Sequence, residues 1–115
     1  MTDERDGRLS QFRKGAVELA ILALLAEGEL YGVEIVDRLG ELPGLEVSGG
    51  TVYPLLSRLK KAGMVDTTWR ESPVGPPRKY YQLSADGRSE LQVMTASWRG
   101  LSSAIDALLN TVVSP

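Results

Sequence analysis

From Ser48 to Gly63 the chain carries three cations, Arg58, Lys60 and Lys61, and no carboxylate stands between Glu46 and Asp66. Val52, Leu55, Leu56 and Leu59 recur at helical spacing and form an apolar stripe. Tyr53, Ser57, Arg58, Lys60 and Lys61 fall on the remaining arc. A helix of this kind buries one side and offers cations, a hydroxyl and an aromatic ring to phosphates and base edges. The same arc is also compatible with a solvated lysine face. Acid–base and nucleophilic chemistry have little to work with, because histidine and cysteine are both absent. That removes the commonest general base and the imidazole and thiolate metal ligands. No Asp/Glu pair stands in a recognisable catalytic setting, so an enzyme is the weakest candidate and no cofactor is implied.

The charge distribution sharpens this. The chain of 115 residues has a net charge of −2, which by itself argues against a polyanionic partner. Residues 1–47 hold five Lys/Arg against ten Asp/Glu, whereas residues 48–81 hold six cations against Asp66 and Glu71 alone. A basic segment inside an acidic chain is a local electrostatic footprint, and the local field governs docking on phosphate. The acidic, polar start does not read as a signal peptide, and the apolar run from Ala16 to Ala26 is too short to span a bilayer. A single soluble cytoplasmic domain is expected.

The surrounding elements follow from pattern. Residues 1–10 are charged and aperiodic and predict a flexible arm. Arg13 and Lys14 precede an apolar helix, where Lys14 either reaches a phosphate or is merely solvated. That helix ends at Glu27-Gly28-Glu29. A second helix follows Leu30-Tyr31-Gly32, with Val33, Ile35, Val36 and Leu39 inward, and stops before a Pro43-Gly44 turn. Ser48 is placed to supply an N-cap oxygen to the basic helix. Pro54 is tolerated if that helix starts near Gly50, or if it kinks. Gly63 closes it. Met64 to Arg70 alternates as a strand, and residues 71–77 are turn chemistry. Arg78 to Leu83 returns as a second strand, making a basic β-hairpin with Trp69 and Tyr81 expected in the core. Taken alone, the hairpin is equally a structural ribbon.

The last helix, opened by Ser84, carries Leu91, Met94, Trp98, Leu101, Ile105, Leu108 and Val112 at alternating intervals of three and four. This is a heptad seam, and at ~1.5 Å per residue it extends roughly 40 Å. The rest of the chain offers no groove of that length, so a second copy is the economical cover and a twofold dimer is predicted. The alternative is packing within the subunit alone. Gly100, Ser102 and Ser103 weaken helix propensity near its middle.

With these pieces in order, the chain resembles the PadR-like transcriptional regulators from about Gln11 to the end of the last helix. The resemblance rests on Ala23-Leu24-Leu25 through Leu30-Tyr31-Gly32-Val33-Glu34-Ile35, on Gly50 to Leu59, on Trp69, and on Gly75 to Ser84. Gly49 departs from the pattern, where Pro or Glu is frequent. The resemblance implies a mainly α fold with a small β-hairpin: a winged helix-turn-helix domain over residues 11–83 and a C-terminal dimerisation helix over residues 84–115. A single terminal helix is similar to the short members, and the family is prokaryotic.

The resemblance also implies a repressor that binds a pseudo-palindromic double-stranded DNA operator as a homodimer, within the nucleoid. Ser48, Thr51, Tyr53, Pro54, Ser57, Arg58 and Lys61 would lie in or beside the major groove, with Lys60 on the same basic arc. Arg78 and Lys79 would grip phosphate from the wing. Leu91, Met94, Trp98, Leu101, Ile105 and Leu108 would form the dimer interface. Trp98 stands where short members have an aromatic residue beside a pocket for planar apolar compounds, so Trp98 and Met94 are candidate effector contacts; an ordinary core tryptophan is the plainer reading. The rival from another class is a small-molecule or protein-interaction module that keeps the fold without specific DNA binding.

Overall fold

The computed structural model describes the backbone of residues 4–113 and the side chains of residues 15–112. Helix α1 (Glu4–Ala26) leads into a short strand β1 (Leu30–Tyr31), then helices α2 (Gly32–Gly40) and α3 (Gly49–Lys61). Strands β2 (Val65–Arg70) and β3 (Arg78–Leu83) form the hairpin, and α4 (Ala85–Val113) closes the chain. The helix starts at Glu4, so most of the stretch expected as an arm is helical backbone continuous with α1. Glu4, Arg5, Arg8 and Leu9 are good helix formers that outweigh Gly7.

Apolar stripes decide the packing. Val17, Ile21, Leu22 and Leu25 of α1, Ile35 and Leu39 of α2, and Val52, Leu56 and Leu59 of α3 meet in one core. The sheet adds Val65, Tyr81 and Leu83, and Leu91 and Met94 of α4 pack half-buried against it. Val33 does not join: it is 53 % exposed, contrary to its predicted inward position. Helical periodicity places Gly32, Ile35, Val36 and Leu39 on one side, and Val33 is a quarter-turn away from them. Among the described residues no helix is long and apolar enough to cross a membrane.

The sheet has three strands in the order β1-β3-β2, all antiparallel. The pairing of Leu30 with Tyr81 and Tyr31 with Tyr80 is the feature that sequence pattern did not predict. A two-residue strand has no period to detect, yet it joins the α1–α2 connection to the hairpin.

Local turn chemistry behaves as expected. Pro43 and Gly44 (φ +87°) occupy a turn closed by the Leu45 N–H donating to the Leu42 carbonyl at 3.0 Å. Positive φ at that position favours glycine. At the end of α3, Gly63 (φ +79°) donates to the Lys60 carbonyl at 3.0 Å and Met64 donates to the Leu59 carbonyl at 2.9 Å. These two bonds are a Schellman ending, which stops the helix and turns the chain directly into β2.

That turn is also where α4 begins. The Ser84 hydroxyl donates to the Gly63 carbonyl at 2.6 Å and accepts the Gly87 N–H at 3.0 Å, while the Ser84 N–H donates to the Met64 carbonyl at 3.1 Å. Gly87 lies so close to this turn that a Cβ there would stand 2.0 Å from the Met64 carbonyl oxygen. Gly87→Ala should therefore cost about 1–3 kcal/mol of stability through overpacking. Gly15→Ala, in an open stretch of α1 with nothing within 4 Å of the added carbon, should gain up to about 1 kcal/mol. Urea unfolding of the two variants checks the opposite signs.

Candidate nucleic-acid interface

Helix α3 presents Thr51, Tyr53, Pro54, Ser57, Arg58, Lys60 and Lys61 on its exposed side while Val52, Leu56 and Leu59 are buried. It starts at Gly49 with Ser48 at the N-cap. The Ser48 carbonyl accepts the Thr51 and Val52 N–H groups at 3.0 and 3.1 Å, but its hydroxyl makes no capping bond, contrary to expectation. The Gly49 and Gly50 N–H groups, ahead of these two bonds, are thus left without a side-chain cap, and an open helix N-terminus favours an anion. Pro54 lies inside the helix; its missing donor leaves the Gly50 carbonyl without its intrahelical bond, at a position that is exposed to solvent.

Tyr53 does more than face outward. A Cβ added at Gly32 would stand 2.5 Å from its ring, and one added at Gly49 would stand 3.0 Å away. The ring lies against two glycine backbones, pinning the start of α2 to the first turn of α3 while 42 % of the residue stays exposed. Gly32 is needed for that close approach.

The cations divide into two groups. Arg58 is turned back onto α1, with its guanidinium 2.7 Å from Glu18. Arg70 meets Glu29 at 2.6 Å and stands 5.4 Å from the Tyr80 ring centre. Lys60, Lys61, Arg78 and Lys79 have no carboxylate partner among the described residues. Lys60, Lys61 and Lys79 line an open groove of about 370 Å³ between α3 and β3, with Ser57 on its wall and Tyr81 at its base. Arg78 lies 4.4 Å over the Tyr31 ring, which in turn meets Tyr80 edge-on at 5.5 Å. The Lys79 ammonium stands 5.7 Å from the Tyr81 ring. Burial pushes the Tyr81 phenol above its usual value and nearby Tyr53 adds to the shift, so the base of the groove is neutral.

Trp69 corrects a prediction: it is 66 % exposed rather than core. Along the β2 face that carries it, burial falls from Val65 through Thr67 to Trp69, because the hairpin runs past the end of the helical layer. A second cleft of about 270 Å³ opens there, walled by Val33, Tyr53 and Trp69 and rimmed by Arg78 and Lys79. Val33 and Trp69 were not legible as site residues, since apolar character points to the core by default. The side chain of Lys14 lies outside the described residues.

On α4 the seam splits in two. Leu91 and Met94 pack half-buried against the chain's own core, whereas Trp98 (49 % exposed), Leu101, Ile105, Leu108 and Val112 continue beyond it uncovered.

Residues 21–93 match the model of the transcriptional regulator PadR-like family. The chain belongs to this family. Its fold superimposes on a PadR-like transcriptional regulator of Bacillus cereus with a TM-score of 0.79 at 36 % identity, covering 87 % of this chain and 97 % of the other. A PadR family regulator of Eggerthella lenta gives 0.81 at 29 % identity, with 92 % of each chain covered. A transcriptional regulator of Mycobacterium tuberculosis is 34 % identical over 83 residues, 72 % of this chain and 76 % of that protein. The protein is thus a PadR-like transcriptional regulator with a winged-helix DNA-binding fold, in which α3 is the third helix and β2–β3 the wing.

The pairing of Arg58 with Glu18 bears on this PadR-like surface. An exposed pair of this kind contributes about 0–1 kcal/mol, weak enough for a phosphate group to displace the carboxylate if one is brought to the guanidinium. Glu18→Gln should tighten binding to duplex DNA a few-fold by releasing Arg58, and the gain should vanish in the Arg58→Ala background. Fluorescence anisotropy on the four members of that cycle measures it.

Proposed function

We propose that this protein is a sequence-specific repressor that occupies a pseudo-palindromic operator as a homodimer in the cytoplasm. The observation that carries the proposal is the groove of Lys60, Lys61 and Lys79, cations free of carboxylate partners among the described residues, beside the exposed hydroxyl of Ser57. In this reading Thr51, Tyr53, Pro54 and Ser57 meet base edges and Ser48 directs the α3 N-terminus at a phosphate. Arg58, Lys60, Lys61, Arg78 and Lys79 bind phosphates and set the salt dependence. Lys14 is a further phosphate contact from α1.

The dimer is proposed on the uncovered α4 seam. Trp98, Leu101, Ile105 and Leu108 are large, apolar and exposed over successive turns, which is unfavourable in water and favourable against a symmetric copy. Leu91 and Met94 extend the interface from its core end. Two recognition helices related by that symmetry would enter major grooves about 34 Å apart, hence the expected palindromy. Release by a planar apolar compound is proposed at Trp98 and Met94. They are one turn apart on the seam, and an indole and a thioether both pack well on flat rings.

Binding to the DNA upstream of the protein's own gene, followed by anisotropy across a salt series, tests the reading. Lys61→Ala and Arg78→Ala should each weaken binding to all duplexes and reduce the salt slope by about 1. Ser57→Ala should instead alter which sequence is preferred. Light scattering should give the mass of two chains, falling to one in an Ile105→Asp, Leu108→Asp variant. A flat planar dye should quench Trp98 fluorescence; no quenching at saturation removes the effector. A preference for upstream DNA no greater than for random duplex would favour a module that keeps the fold without operator binding.

A further inference from the structure

Val33 and Tyr53 meet at the outer surface although they belong to different helices. The Tyr53 ring is held along two edges. Its Cε1 is the atom nearest to a Cβ built at Gly32, at 2.5 Å, and its Cε2 the atom nearest to one built at Gly49, at 3.0 Å. Gly32 is buried beneath the ring, and Val33, the next residue, is more than half exposed. The start of α2 and the first turns of α3 therefore share one surface, and both residues line the cleft of about 270 Å³.

The two sides of that cleft differ. Tyr31, Tyr81, Arg78 and Lys79 supply the sheet side with polar groups and positive charge. The helical side, made by Gly32, Val33 and Tyr53, carries no charged residue. Neither of its side chains has much freedom left to lose: the ring is pinned between two backbones, and a helical valine has one strongly preferred rotamer. A contact made there costs little ordering.

In the reading above, Tyr53 meets base edges in the major groove, so whatever base it meets also lies beside Val33. The base edges in that groove present hydrogen-bond donors and acceptors, and the apolar group among them is the C5 methyl of thymine. We propose that Val33 and the Tyr53 ring form a seat for the C5 methyl of one operator thymine in each half-site. Val33, a residue of α2 rather than of α3, is then a determinant of sequence preference. This rests on the DNA-binding reading and adds to it a residue and the group it reads.

The test is a set of upstream duplexes in which each thymine in turn is replaced by deoxyuridine, titrated against the wild type and the Val33→Ala and Tyr53→Phe variants by fluorescence anisotropy. Deoxyuridine keeps every hydrogen-bonding group of thymine and lacks only the methyl. At one position per half-site the wild type should lose affinity about four-fold, the value of one buried methyl. Val33→Ala should bind the thymine duplex as weakly as the wild type binds the deoxyuridine duplex, with no further loss when both changes are combined. Tyr53→Phe should keep the discrimination, because the ring and not the hydroxyl forms the seat. The salt slope should be the same throughout, since no phosphate contact changes. Val33 is exposed and alanine is the better helix former, so Val33→Ala should melt no lower than the wild type.

If the wild type prefers its upstream DNA but every thymine that matters to it matters equally to Val33→Ala, the methyl seat is overturned and DNA binding stands. A flat deoxyuridine scan, or discrimination lost in Tyr53→Phe, overturns it as well. If unmodified upstream DNA is bound no better than random duplex, the DNA-binding reading falls and the seat falls with it.

Discussion

The Ser84 hydroxyl, held between the Gly63 carbonyl and the Gly87 N–H, ties together the three elements on which this molecule's work depends. Gly63 follows the C-cap of α3, Met64 immediately precedes the first wing strand, Leu83 ends the second, and Gly87 lies in the first turn of α4. Their close approach requires the absence of a side chain at Gly87, which nearly touches the Met64 carbonyl. A Schellman ending on one side and a serine cap on the other satisfy the exposed backbone groups of both helices at once. The angle between α3 and the wing, and the direction in which α4 leaves the core, are therefore set at one point. Tyr53 fixes the opposite end of α3 by lying on Gly32 and Gly49. A helix held at both ends in this way can present a rigid face.

An acidic chain can still offer a basic surface if its carboxylates are spent elsewhere. Glu18 and Glu29 hold Arg58 and Arg70, and Glu27 stands 3.7 Å from Arg38. The cations of the α3–β3 groove are left without such partners among the described residues, and aromatic rings support two wing cations in their place. Tyr31 beneath Arg78 and Tyr81 beside Lys79 orient these side chains without neutralising them. Charge is thus conserved where it faces outward and cancelled where it faces α1 and β1.

Much of this was legible from residue order because it is local. The apolar stripe of α3, the Pro43-Gly44 turn, the stop at Gly63 and the Ser84 cap are each written in a few adjacent residues. The basic arc was visible for the same reason, and the family resemblance extended it. What stayed hidden depends on partners distant in sequence. Strand β1 exists because Tyr80 and Tyr81 come back to meet it, and two residues carry no period of their own. Arg58 looked free because Glu18 is forty positions away. Val33 and Trp69 were assigned inward because apolar residues usually are; helical phase turned the first outward, and the length of the hairpin carried the second beyond the core. The start of α3 could not be fixed from Pro54 alone, since water can serve the carbonyl that the proline leaves open.

Hydroxyl-radical footprinting of the upstream duplex tests most directly whether α3 and the wing act as one surface. Because that chemistry reads the accessibility of individual sugars, it reports the strand lying between the two elements. The account predicts two protected segments on each strand, their centres about ten base pairs apart, each continuous across the boundary between a major and the adjacent minor groove. Protection confined to one groove, or cleavage no different from that of free DNA, would contradict it.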